Sequence, residues 1–144
     1  MRRQLQEAVR LGVPVCIHSR DADGDTFDIL KNEALSRTKV LLHCYSGSAE
    51  LARQYVKLGA KISIAGPVTY KNARKTVETV EALDLSDLLI ETDSPYMAPI
   101  PYRGKPCHSG YIPYIAQKLA EIKQMPVEEL YRQCRENTRR CYGI

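Results

Sequence analysis

The sequence predicts an α/β fold, with four parallel strands joined by helical crossovers, on three observations. Four short apolar runs, "PVCIHSR", "KVLLHCYSG", "AKISIAG" and "DLLIETDSP", each end in polar or turn residues. The segments between them carry apolar residues three and four apart, as amphipathic helices require. The order that results is βαβαβαβ, and crossovers of helical length imply parallel strands.

The elements follow in chain order. Leu5, Ala8, Val9 and Gly12 read as the end of a helix. No capping residue opens that helix, and Arg2 and Arg3 stand where the helix dipole favours acids. Strands are expected at about 14–20, 39–45, 60–65 and 87–93. The first crossover helix is "DTFDILKNEALS", and the Asp residues of "DADGDT" (21–26) are expected to cap it. That run resembles the start of a calcium loop, but Thr26 stands where glycine is required and Asn32 where a closing glutamate is required. The second crossover, "SAELARQYVKLG", has Ser48 as its N-cap and Gly59, after Leu58, as its C-cap. The third is "KNARKTVETVEALDL". A loop rich in Pro, Gly and Tyr follows Pro95, and then two helices span roughly 110–123 and 127–141, with Pro126 opening the second.

A chain of 144 residues suffices for one domain over 1–144 with a sizeable core. No apolar run approaches the ~20 residues of a membrane span, and "MRRQLQEAVR" is too polar for a secretory signal. A cytoplasmic protein with no membrane association is expected. Five cysteines without a C-x-x-C pair fit reduced thiols rather than a disulfide framework. A formal charge of +4 leans toward anionic partners.

The chemistry falls at the carboxyl ends of the strands, where parallel α/β folds bind ligands. His18 ends the first strand, His43 the second and Asp93 the fourth. Imidazole and carboxylate together suit Zn²⁺, Mn²⁺ or Fe²⁺, with Mg²⁺ suited where oxygens dominate. Glu91 and Asp93, two apart, face the same side of an extended chain. A cation beside Asp93 offsets the cost of placing charge there. Glu91 either orients an attacking water or accepts from a buried Arg, and the sequence leaves both open. The plainer readings apply elsewhere: His108 is a loop histidine, Cys134 and Cys141 are packing residues, and Cys44, alternating with His43, faces the helices.

Taken together, "PVCIHSRDADGDTFDIL", "LLHCYSGS", "SIAGPVTYKNA", "LLIETDSPYMAPIPYRGK" and "ENTRRCYG" resemble the TatD-type metal-dependent deoxyribonucleases, which are amidohydrolase-like (β/α)₈ barrels. The resemblance implies hydrolysis of phosphodiester bonds with one or two divalent metals (Mg, Mn or Zn) at a barrel mouth. It implies His18, His43 and Asp93 as metal ligands and Asp93 as the base for the attacking water, with Glu91 beside it. The first-strand H-x-H pair and the bridging glutamate of that family have no counterpart here. The expected fold is therefore half of a TIM-like (β/α)₈ metallo-hydrolase barrel, corresponding to strands five to eight.

Two open edges and an uncovered inner face follow from such a half. Activity is expected only when the barrel is completed, with one weakly held metal or none in the chain alone. The expected partners are the missing N-terminal half or a second copy closing a two-fold ring, with DNA as substrate. On the ligand side, Arg20, Lys71, Arg74, Arg103 and Lys105 are expected to neutralise phosphates. Tyr45, Tyr70, Tyr96 and Tyr102 are expected to stack on unpaired bases. Ser46, Gly47, Ser63, Gly66 and Ser94 offer small groups and backbone amides near a phosphate. The competing readings are an inactive remnant or binding module, and a barrel hydrolase acting on other esters or amides.

Overall fold

The computed structural model describes residues 1–144. Its elements are α1 (Arg2–Leu11), β1 (Val15–Ile17), α2 (Asp23–Glu33), β2 (Val40–Leu42), α3 (Ala49–Lys57), β3 (Lys61–Ile64), α4 (Arg74–Ala82), β4 (Leu88–Ile90), α5 (Ile112–Lys123) and α6 (Val127–Tyr142). The strands form one sheet in the order β1-β2-β3-β4, parallel throughout. Val15 pairs with Val40, Leu42 with Ile62, and Ile64 with Ile90. No helix is long and apolar enough to cross a membrane.

The strands are shorter than the apolar runs suggest. β1, β2 and β4 leave the ladder where their polar residues begin, so His18, His43, Glu91 and Asp93 lie beyond the strand ends. Backbone bonding still reaches one residue further: His43 N donates to Ile17 O at 2.8 Å and Glu91 N to Ile64 O at 3.1 Å. Those two bonds seat His43 and Glu91 on the rigid sheet.

Period-two alternation divides the sheet into two faces. Ile17, Val40, Leu42, Ile62, Ile64 and Leu88 join the helices in one large core with Leu5, Leu30, Tyr55, Ile115, Leu119 and Leu130. Full burial of such a side chain stabilises the fold by about 1.5–3 kcal/mol each. The opposite face carries Cys16, Leu41, Ser63 and Leu89, and there Leu41 and Leu89 pack against Cys141 of α6. Continued upward, that second face leads to His18, His43 and Glu91.

The helices begin and end for identifiable reasons. Ser48 Oγ accepts from Leu51 N at 3.2 Å, capping α3 as expected. Leu58 is the last half-helical residue, and Gly59 follows with φ 94°, a conformation that costs glycine little. The expected aspartate cap on α2 is not formed. Ala22 occupies the N-cap without a side-chain bond, while Asp23 and Asp25 lie inside the first turn. They interact with the helix dipole there instead of replacing a hydrogen bond. In α6, Leu130, Cys134, Asn137 and Cys141 are buried at spacings of four, three and four, one helical stripe. Asn137 Nδ2 donates to Leu85 O at 2.7 Å and to Leu88 O at 2.8 Å, pinning the start of β4 to the helix. His108 is a loop residue that caps a short turn, its Nδ1 accepting from Gly110 N at 3.2 Å.

Candidate functional site

Three residues expected from the sequence meet at the carboxyl end of the sheet. His43 Nδ1 lies 2.7 Å from Glu91 Oε1, and His43 Nε2 lies 3.2 Å from Asp93 Oδ1. The two carboxylates therefore grip opposite nitrogens of one ring. His18 stands beside it, with ring centroids 5.7 Å apart at an interplanar angle of 51°. β3 lies between β2 and β4, so Glu91 and Asp93 reach across one strand to the histidine.

The site is only partly buried, with side-chain exposures of 23% for His43, 17% for Glu91 and 29% for Asp93. Burial alone pushes the imidazole toward its neutral form. The charge and hydrogen bond of Glu91, followed by those of Asp93, outweigh it and raise the His43 pKa. The Cys44 thiol is pushed up to about 12, by burial first and then by the same two carboxylates. The thiol is thus protonated at neutral pH and no nucleophile.

Cys44 faces the site and not the helices. Its φ of 45° puts it in the left-handed region, and this breaks the alternation that carries on from the strand. Its N donates to Glu91 Oε1 at 2.6 Å, and its Sγ lies 4.0 Å from Met97 Sδ. Met97 also has a positive φ, 53°. Both help line a cleft of about 180 Å³ with His18, Arg20 and Ser46. Neither residue has a sequence signal beyond proximity to His43 and Asp93. Larger hollows lie elsewhere: an apolar groove of about 460 Å³ beside β4 and α6, lined by Ile90, Ile112, Tyr131 and Ile144, holds none of the histidines or carboxylates.

The residues expected to touch substrate divide into two groups. Arg20, Ser46, Ser94, Tyr96, Arg103 and Lys105 are exposed. Tyr96, Arg103 and Lys105 line a shallow depression that meets the cleft at Met97. Lys71 and Arg74 are also exposed, but Arg74 is paired with Glu78 at 2.7 Å. The others have structural tasks. Tyr45 is buried, its hydroxyl donates to Ser48 O, and its ring packs edge-on to Tyr55. Gly47 lies against it, since a Cβ there would come within 2.5 Å of the Tyr45 hydroxyl oxygen. Ser63 is buried one level below the site, its hydroxyl without a protein partner. Gly66 is buried because the Met97 carbonyl crosses it, and a Cβ there would lie 2.0 Å from that oxygen. Tyr70 donates to Ala98 O beneath the Arg103 guanidinium, and Tyr102 stacks on Tyr111 with centroids 4.3 Å apart. These rings are committed within the chain, leaving Tyr96, 70% exposed, as the free one.

Donors around a tetrahedral ion, at metal–ligand lengths of about 2.0–2.2 Å, lie about 3.3 Å apart. The 3.2 Å between His43 Nε2 and Asp93 Oδ1 fits that spacing. No three His, Cys, Asp or Glu side chains converge closely enough to enclose an ion. The residues present therefore fit part of a coordination shell, with His18 adjacent and Glu91 engaged on the far nitrogen of His43.

Comparison with known proteins shows the family of the chain. The chain matches the family described as "TatD related DNase" over residues 1–143. It is 41% identical over 143 residues to the uncharacterized metal-dependent hydrolase YabD of Bacillus subtilis, covering 99% of this chain and 56% of that protein. It is 39% identical over 137 residues to an uncharacterized metal-dependent hydrolase, TatD, of Mycobacterium tuberculosis, covering 95% and 52%. The crystal structure of YjjV, a TatD homolog from Escherichia coli K12, superposes with a TM-score of 0.90 at 33% identity, covering 98% of this chain and 54% of that one. The chain thus spans about half the length of the relatives it matches. On the family match, the identity to its relatives and the shared parallel sheet, this chain belongs to the TatD-related DNase family.

Proposed function

We propose that this chain supplies His18, His43 and Asp93 to a divalent-metal centre that hydrolyses phosphodiester bonds of DNA. The observation that carries the reading is the contact between His43 Nε2 and Asp93 Oδ1, two donors at ligand spacing on a rigid sheet end. When bound, a divalent ion lowers the pKa of a water and offsets charge on the phosphoryl oxygens. Asp93 is the more exposed of the two carboxylates and holds the position from which to take the water's proton. Arg20, Arg103 and Lys105 neutralise backbone phosphates, Ser46 and Ser94 offer hydroxyls, and Tyr96 stacks on an unpaired base.

Activity requires donors from outside this four-stranded sheet, because no three of its own converge. The two edge strands, β1 and β4, leave room for a completing unit, either further strands of a barrel or a second copy. The same lack of convergence favours one second reading, a binding module that engages nucleic acid without cutting it.

The test is cleavage of a fluorescently labelled single-stranded DNA with Mg²⁺, Mn²⁺ or Zn²⁺. The chain is assayed alone and mixed with the remainder of YabD that it does not match. Metal-dependent cleavage by the mixture, lost in Asp93→Asn and His43→Ala, supports the hydrolase. Binding without cleavage in every mixture supports the module. Cleavage undiminished by either substitution contradicts the assignment of these residues.

A further inference from the structure

The shortest contacts at the site converge on one atom. Glu91 Oε1 lies 2.7 Å from His43 Nδ1 and accepts from Cys44 N at 2.6 Å. The two donors belong to consecutive residues at the end of β2, while Glu91 follows β4, with β3 between them. Ala65, directly after β3, carries only a methyl group. Glu91 is itself seated by its backbone bond to Ile64 O.

We propose that Glu91 is the positioning residue of this site: one carboxylate oxygen fixes both the ring orientation and the tautomer of His43, aiming Nε2 at Asp93. The two contacts to the ring differ in length, and the difference assigns the proton. A charge-assisted N–H···O bond is about 2.7–2.9 Å long; Nδ1 to Glu91 lies in that range, and the 3.2 Å from Nε2 to Asp93 is the longer and weaker of the two contacts. In the neutral ring the hydrogen sits on Nδ1, and the lone pair of Nε2 faces the position where a ligand would lie. A metal-binding histidine needs this arrangement, in which the remote N–H is held by a carboxylate.

The bond to Cys44 N serves the same end. Cys44 adopts a left-handed conformation that non-glycine residues avoid, directly after the histidine. Fixing its N–H holds the turn that ends β2, and with it the backbone that carries the ring. Glu91 is the less exposed carboxylate, and Asp93, at 29% exposure, is the one more open to a water. The role in metal binding rests on reading His43 and Asp93 as a ligand pair; the tautomer does not.

The test is long-range proton–nitrogen correlation spectroscopy of the three histidine rings in the metal-free chain, at a pH where they are neutral. His43→Gln assigns the signal. The proposal expects His43 as the Nδ1–H tautomer in the wild type and in Glu91→Gln, whose amide oxygen still accepts both donors. In Glu91→Ala the ring reverts to the Nε2–H form that free imidazole favours. Metal affinity, measured by competition with a chromophoric chelator for Zn²⁺, falls about 10–100-fold in Glu91→Ala and is largely kept in Glu91→Gln. An Nε2–H ring in the wild type, or an unchanged ring in Glu91→Ala, overturns the proposal. If Glu91→Ala does not fold, Glu91→Asp replaces it, since its shorter reach cannot serve both donors. A tautomer that shifts as expected in a chain that binds no metal, alone or mixed with the part of YabD it does not match, keeps the positioning role and sinks the metal reading.

Discussion

His43 and Glu91, on strands that are not neighbours in the sheet, are joined by a 2.7 Å contact, while Asp93 stands 3.2 Å from the other side of the same ring. Everything expected of the site follows from this clamp. A single imidazole is held from both ends by carboxylates that sit two residues apart.

Asp93→Asn separates positioning from proton transfer. The amide keeps the shape but is a far weaker base and metal ligand. In the completed enzyme it is expected to lower the turnover of DNA cleavage by about 10²–10⁴-fold. The circular dichroism and unfolding midpoint should stay close to the wild type, because Asp93 is only partly buried. A variant that cleaves as well as the wild type contradicts the role given to Asp93.

The metal-free protein should lose stability as pH rises through the folded-state pKa of His43. Burial opposes charge on His43, but Glu91 and Asp93 prevail, so its pKa in the fold is raised above the ordinary value of about 6.5. A base whose folded pKa is raised contributes stability that is full below the unfolded value and is lost as pH climbs through the folded one. Urea midpoints measured across that window should fall for the wild type, and the decline should be reduced in His43→Gln. Equal slopes in the two proteins would remove the basis for the clamp.

Asn137→Leu tests the link between α6 and β4. It removes two donors from the carbonyls of Leu85 and Leu88, the latter in a fully buried environment. Leu85 O keeps the N–H of Leu88, but Leu88 O loses its side-chain donor in a buried setting, at a cost of about 1–3 kcal/mol. Chemical unfolding should show that loss. A neutral substitution would mean that water replaces the side chain.

Gly66→Ala brings a methyl group against the Met97 carbonyl, a backbone atom that cannot turn aside. Overpacking of this kind typically costs about 1–3 kcal/mol. Because Met97 lines the cleft beside Cys44, the substitution should also disturb the cleft. Melting temperature reads the first effect and metal affinity the second. An unaltered melting temperature would show that the 97–99 segment moves freely.

Much of the site is legible from alternation alone. His18, His43, Glu91 and Asp93 continue the period-two pattern of apolar strand residues, so a reader of the sequence can bring them to one side. Cys44 escapes that rule because its positive φ reverses the parity after His43. Tyr45 and Ser63 look like ligand-side residues for the same local reason. The turn at Cys44 carries Tyr45 into the core, and Ser63 sits one level too low. The partners of Tyr70 and Tyr102 come from segments distant in sequence, and no local pattern announces them. Gly66 reads as a phosphate-side glycine until the Met97 carbonyl is seen against it.

The most direct test of the metal site is calorimetric titration of Mn²⁺ or Zn²⁺ into the wild type, His43→Ala and Asp93→Asn, each mixed with the part of YabD that the chain does not match. The account predicts saturable binding by the wild type that is lost in both variants. Heats that are the same in all three proteins would contradict it, because the contact between His43 and Asp93 would then have no part in holding an ion.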